Sequence, residues 1–336
     1  MRGAPSDDPA LAVDLCGVRL RNPVILAAGT AGYLDETGDV LDLSRVGGVV
    51  TKSITAAPRE GNPTWRILET RGGMLNAIGL ANIGVEAFVR DVGPRVAGFS
   101  RETGAAVIGS VAGFSVEDYV RVAGAMAGVP GIAAVELNVS CPNVHGGCEF
   151  GADPGALREV VGAVKAALLR GDDAASSGTR RALPLFVKLS PVPVGTRGHS
   201  MVDIARAAVE GGASGLCIAN TIPAMGIDVR TRRPRLANVT GGLSGPAVHP
   251  VAVKLVHDVY RGVAREAGVP IVGIGGILTW EDAAEFILAG ASAVEMGTAL
   301  FADPRAPARV ARGLGEWVRG QGCGSVGELV GRVEVS

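Results

Sequence analysis

Aromatic residues are scarce in this chain: Phe, Trp and Tyr together make up 4% of it, although hydrophobic residues reach 47%. Its core must therefore be built from Ala, Val, Leu and Ile, as in α/β proteins where helices pack closely on a sheet. Charge of one sign is missing too. Lys and Arg number 32 against 33 Asp and Glu, a formal net charge of −1, and no dense Lys/Arg block appears. Such a chain has no long-range field for nucleic acid or acidic lipid, so a small-molecule substrate is expected. The five cysteines, Cys16, Cys141, Cys148, Cys217 and Cys323, are odd in number and form no Cys-x-x-Cys pair. Neither a disulfide framework nor a zinc site is indicated, and a reducing cytosol fits. No apolar run approaches the length of a membrane span, and Met1 to Ala10 lacks an apolar core that could serve as a signal. A soluble, cytoplasmic protein is expected. The histidines, His145, His199, His249 and His257, lie in unrelated segments without ligand spacing, so no metal is implied.

What the chain does have is rhythm. Strand-like apolar runs recur at Asn22 to Thr30, Gly47 to Thr55, Ala105 to Gly113, Ala133 to Cys141, Leu183 to Pro191, Ala213 to Thr221, Val269 to Ile277 and Ala291 to Leu300. Between them lie helical patterns with start signals: Ser115 ahead of Val116 to Ala127, Asp153-Pro154 ahead of Leu157 to Leu169, and Pro250 ahead of Val251 to Ala267. Thr279-Trp280-Glu281-Asp282 has the form of a capping box leading into Ala283 to Leu288. Eight such units predict a single (β/α)8 TIM barrel. A doubly wound sheet is the alternative, but no Gly-x-Gly-x-x-Gly follows the first strand. Leu11 to Leu20 predicts a short N-terminal β-hairpin, a plug or lid at one end of the barrel. Residues 1–10 are expected to be a flexible N-terminus and 11–336 one barrel domain. Gly171 to Arg181 reads as a surface loop, and Val192 to His199 as an extended connection on the catalytic side.

In a barrel the carboxyl ends of all strands face one rim. Collecting their polar residues gives Lys52, Asn138, Cys141, Asn143, Lys188, Asn220 and Thr221. Two lysines, several amides and a thiol can thus surround one planar polar ligand. Amides offer both donor and acceptor, which suits a uracil-like ring or an isoalloxazine edge. Cys141 precedes Pro142, which cannot continue a ladder, so the thiol sits where the chain leaves its strand. Glycine-rich turns at Gly241 to Gly245, Gly273 to Gly276 and Gly297-Thr298 predict a phosphate site after the last strands.

These residues occur in recognisable runs. Val50 to Thr55, Gly61-Asn62-Pro63, Glu69-Thr70, Gly73 to Leu80, Glu136 to Asn143 with Gly146-Gly147, Val187 to Pro191 and Thr240 to Ala247 together resemble class 1 dihydroorotate dehydrogenases. Ala219-Asn220-Thr221, Met225 to Asp228 and Leu236-Ala237-Asn238 resemble the B type. The resemblance runs from about Leu11 to Leu300. It implies a flavin mononucleotide (FMN) enzyme that oxidises dihydroorotate to orotate in pyrimidine biosynthesis, with Cys141 as the base. It further implies that Asn76, Asn138, Asn143, Asn220, Thr221 and the backbone of Ile78, Gly79 and Leu80 hold the substrate. Lys52 would lie between flavin and substrate, and Lys188 would reach the N1/O2 side of the flavin. Ala28, Gly29, Ser53, Asn138, Gly245, Gly275, Gly276, Gly297 and Thr298 would line the FMN. The B type implies a catalytic homodimer within a heterotetramer, with an FAD- and [2Fe-2S]-bearing subunit that passes electrons to NAD+. Class 2 members resemble a serine-based, membrane-associated pattern that this chain lacks. The residues alone leave open a dehydrogenase of another dihydropyrimidine, or a flavin-free barrel lyase or isomerase that binds phosphate.

Overall fold

The structure is a computed structural model and describes residues 8–140, 150–170, 182–191 and 198–334. Cys141, Asn143, the Gly171 to Arg181 loop and residues 192–197 of the extended connection lie outside the described residues.

The described chain opens with a 3-10 turn, Pro9–Leu11, in which the Ala10 N–H donates to the Asp8 side chain. Asp8 also pairs with Arg319, and Leu11 is buried. Strands β1 (Val13–Leu15) and β2 (Val18–Leu20) then form an antiparallel hairpin. Next come β3 (Val24–Leu26) and β4 (Gly48–Val50), followed by a second hairpin, β5 (Ile67–Thr70) and β6 (Gly73–Asn76). Strands β7 (Ala106–Val111), β8 (Ile132–Asn138), β9 (Leu185–Leu189) and β10 (Gly215–Ile218) alternate with helices Val116–Ala127, Pro154–Arg170 and Met201–Glu210. Short strands β11 (Ile222–Ala224), β12 (Ile227–Asp228), β13 (Arg233–Pro234) and β14 (Gly241–Ser244) precede β15 (Ile271–Ile274) and β16 (Ala291–Met296).

Strands β3, β4, β7, β8, β9, β10, β15 and β16 close in that order into an eight-stranded barrel, all paired parallel. Seven lie inside the expected runs, and β8 begins one residue before its run, at Ile132. The helix starts also stand where the sequence places them. Ser115 accepts from the Asp118 N–H, and Thr279 and Asp282 form the reciprocal capping box of Trp280–Ala289. The helix expected to Ala267 holds, with a π turn at Tyr260–Ala264 inside it.

Strand side chains alternate between two cores. Outward residues such as Val24, Leu26, Val49, Val107, Val135 and Leu137 pack under the helices. Inward residues Ile25, Val50, Ile108, Ala134, Phe186, Cys217, Val272 and Ala293 fill the lower barrel, together with Leu15, Val18 and Leu20 of the hairpin. The hairpin is a plug at the amino end, since the Cys16 thiol donates to the carbonyl of Ser214, the residue just before β10. It lies opposite the end where the chemistry is expected.

The sequence did not foretell a second sheet. Strands β11, β14, β6 and β5 pair antiparallel in that order. Gly241 to Ser244, read as a glycine-rich turn, is a strand of this sheet, and the turn begins only at Gly245. Glycine suits the strand because Thr221 crowds it: a side chain at Gly242 would collide with the Thr221 hydroxyl.

Candidate active site at the barrel mouth

Lys52 follows β4, Asn138 ends β8, Lys188 lies in β9, and Asn220 and Thr221 follow β10. The barrel brings these carboxyl ends together, and a string of hydrogen bonds records it. The Asn220 amide donates to Asn138 Oδ1 at 3.3 Å and to Ser140 Oγ at 3.0 Å. Ser190 donates to Ser140 at 2.9 Å, and the Asn138 amide donates to Ser53 Oγ at 3.5 Å. Tyr119 donates to the Asn138 carbonyl at 2.8 Å, fixing the strand end from outside the barrel. Asn138 and Asn220 are thereby held with their polar edges at the mouth. Preorganised neutral donors and acceptors of this kind read a planar polar ring without a change of charge.

The second sheet roofs this rim. Asn76, on β6, donates to the Gly242 carbonyl at 3.3 Å, and β14 runs against Thr221. The Ile78, Gly79 and Leu80 backbone is tied to the preceding loop: Asn62 N–H donates to the Ile78 carbonyl at 3.0 Å, and Arg59 Nε donates to the Gly79 carbonyl at 3.3 Å. Leu80 is held at φ +57°, a conformation costly enough for a branched side chain to mark a constrained loop.

Lys52 is half-buried and its N–H donates to the Gly32 carbonyl at 2.8 Å. Burial, with the Arg66 guanidinium nearby, holds its ammonium below the usual lysine range, while Glu36 opposes the shift. Lys188 is buried deeper, 3.3 Å from Glu295 Oε2 and 3.8 Å from Glu136 Oε1. Burial works against its charge, but Glu136 and Glu295 outweigh that and push its pKa up. Lys188 therefore stays an ammonium at the floor of the mouth.

Residues of the glycine-rich segments also meet one another across the later strands. Thr298 donates to Ser244 Oγ at 2.7 Å, joining the end of the last barrel strand to β14, and His249 Nδ1 lies 3.0 Å from the Gly275 carbonyl. Gly276 sits against the Gly245 carbonyl. Gly29, at φ +87°, has open space where a side chain would stand. An open cradle at Gly29, joined glycine turns on the far side and an ammonium below fit a flavin phosphate with its ring; Ala28, Ser53 and Gly297 lie on the same strand ends.

Sequence reasoning passed over Glu136, Glu295, Ser110 and Ser140. The available signal was a carboxylate inside an apolar strand run, at Glu136 in β8 and Glu295 in β16, since a buried parallel strand seldom carries a charge without a partner.

The fold and site thus define a closed parallel barrel whose carboxyl rim gathers amides, lysines and glycine turns at one mouth. The family model described as dihydroorotate dehydrogenase matches residues 10–318, and the chain belongs to that family, one of oxidoreductases. A relative from Geotalea uraniireducens (strain Rf4), named dihydroorotate dehydrogenase B (NAD(+)), catalytic subunit, is 44% identical over 96% of this chain and 98% of its own length. One of the same name from Geobacter sulfurreducens is 44% identical over 97% and 99%. A relative from Solibacter usitatus, provisionally named dihydroorotate dehydrogenase A (fumarate), is 45% identical over 97% and 99%. Among solved structures, a DHODH from Eimeria tenella crystallised with ferulenol superposes with a TM-score of 0.75 at 25% identity, covering 98% of this chain and 89% of that one. No helix among the described residues is long and apolar enough to cross a membrane.

Proposed function

We propose that this chain is the catalytic subunit of a B-type dihydroorotate dehydrogenase, binding FMN at the barrel mouth and oxidising (S)-dihydroorotate to orotate for pyrimidine biosynthesis. The observation that carries it is the bonded amide string Ser53, Asn138, Asn220 and Ser140, set between Lys52 and the buried Lys188. Neutral amides match the imide edge of a pyrimidine, and Lys52 supplies a cation for its carboxylate. Asn76, Asn143, Thr221 and the Ile78 to Leu80 backbone complete the substrate set. Ala28, Gly29, Ser53, Gly245, Gly275, Gly276, Gly297 and Thr298 would hold the FMN, with Lys188 reaching its N1/O2 side. When bound, FMN supplies the acceptor for the hydride that leaves C6 of the substrate. Cys141 takes the proton from C5, and the roof of β5, β6, β11 and β14 limits the access of water to that proton transfer.

The electrons leave through a partner, a subunit carrying FAD and a [2Fe-2S] cluster that reduces NAD+, in a heterotetramer built on a catalytic homodimer. The names of the relatives from Geotalea and Geobacter support this reading. The 45% identical relative named for fumarate favours a second one, with fumarate as the acceptor and no such subunit. The test is anaerobic: the purified chain should be yellow and should bleach on addition of dihydroorotate. Reoxidation by fumarate alone would favour the second acceptor. A colourless chain that takes up no FMN would overturn both.

A further inference from the structure

Below the mouth, the barrel interior changes from apolar to charged within one layer. Glu136 on β8, Cys217 on β10 and Glu295 on β16 place a carboxylate oxygen, a sulfur and a second carboxylate oxygen within 4.8 Å of one another, all fully buried. Lys188 on β9 faces both acids. Ser110 on β7 donates to Glu136 Oε1 at 3.4 Å. The other oxygen, Glu136 Oε2, is buried and has no fixed donor among the described residues. An acceptor sealed from water and left unpaired is costly, so a donor is needed there. A divalent cation does not fit, because the Lys188 ammonium already stands against both carboxylates as their counter-charge.

We propose that Glu136 and Glu295 share one proton beneath Lys188, and that this neutral triad is a positioning device which fixes the lysine's charge under the flavin site. The lysine's place under a flavin rests on the functional reading above; the shared proton does not. Two ionised carboxylates with a single ammonium would leave a net negative charge in the middle of the barrel, where one proton removes it. Burial pushes the Glu295 carboxyl well up, and the neighbouring Glu136 carboxylate adds to this while Lys188 opposes, in keeping with a proton retained by the pair. Burial likewise pushes the Cys217 thiol up, so Cys217 stays protonated and adds no charge. The pair keeps one negative charge, which faces Lys188, and Glu136 accepts from Ser110. Ser110 Oγ lies 2.9 Å from Ser53 Oγ, and Ser53 accepts from Asn138. Every hydrogen of this string can thus point down, from the mouth amides to the buried anion. The charge of the triad and the orientation of Asn138 are joined by one hydrogen-bond path.

The arithmetic of the triad gives a test. Replacing either acid by Gln removes the proton along with one carboxyl and leaves the charge unchanged, whereas replacing both strips Lys188 of its partner. Infrared spectra of the FMN-loaded protein, labelled with 13C-glutamate so that flavin carbonyls do not interfere, should show a protonated glutamic acid band at neutral pH. The band should move in D2O and vanish in both Glu136→Gln and Glu295→Gln. Absence of the band in the unsubstituted protein, or its persistence in both variants, would overturn the proposal. In the same set, the equilibrium constant for flavin reduction should stay within about twofold for each single variant and move by about tenfold or more in the double, one pKa unit of interaction. Equal, additive shifts in the two singles would mean that both acids are ionised and would also overturn it. A chain that binds no FMN would refute the functional reading alone, and the infrared band of the flavin-free protein would still decide the shared proton.

Discussion

The lower and upper halves of the barrel use the same strands and the same inward positions to opposite ends. On β8, Ala134 is inward and apolar, Glu136 two residues on is charged, and Asn138 two further is an amide at the rim. On β9, Phe186 gives way to Lys188 over the same step. The lower half is sealed by the β1/β2 hairpin and carries only packing. The upper half holds polar groups whose burial costs stability unless each is paired. The comparison teaches that the stability and the chemistry of this fold are layered along the barrel axis rather than shared among its strands.

The comparison breaks most visibly at Phe186, the large side chain of the lower layer, 2% exposed and packed on Gly215. Phe186→Ala should cost about 3–5 kcal/mol of stability, measured by denaturant unfolding, while the folded fraction keeps its rate of flavin reduction. A fall in that rate with stability intact would show that the layers are not separate.

Lys52 sharpens the other side. Its folded pKa lies below that of a free lysine, so as pH rises the ammonium is lost earlier than a free lysine's would be. Orotate affinity should therefore fall earlier on the alkaline side than an ordinary lysine would allow. Lys52→Gln should weaken binding roughly 10–100-fold and flatten that alkaline limb, as isothermal titration across pH would show.

The smallest effect belongs outside both layers. Thr279→Ala removes the side-chain cap of the Trp280–Ala289 helix and should cost about 1 kcal/mol, read as a lower urea midpoint with catalysis unaffected.

The layering also explains what could be read from the sequence. The eight barrel strands, the plug hairpin and the helix caps are local patterns: apolar runs of strand length, and Ser or Thr three residues before an acid. The roof sheet is not local. Strand β14 is Gly241-Gly242-Leu243-Ser244, whose composition signals a turn, and it becomes a strand only because β6 and β11 lie on either side. Gly242 must be small for Thr221, a constraint set by a residue distant in the chain. The rim amides Asn138 and Asn220 were legible because each stands at the end of an apolar run. Glu136 and Glu295 were not, since a buried acid has meaning only through Lys188 and Ser110 on neighbouring strands. Cys141 stands out by sequence alone, between Asn138 and Asn143 at a strand end.

That cysteine is the point at which the account meets its most direct test. FMN-loaded protein would be mixed with dihydroorotate under exclusion of oxygen, and the loss of flavin absorbance followed by stopped flow. The unsubstituted chain should bleach. Cys141→Ala should bleach about 10²–10⁴ times more slowly, with its FMN content and unfolding midpoint unchanged. An unaltered rate in that variant would contradict the assignment of the base and, with it, the reading of the upper layer as the seat of dihydroorotate oxidation.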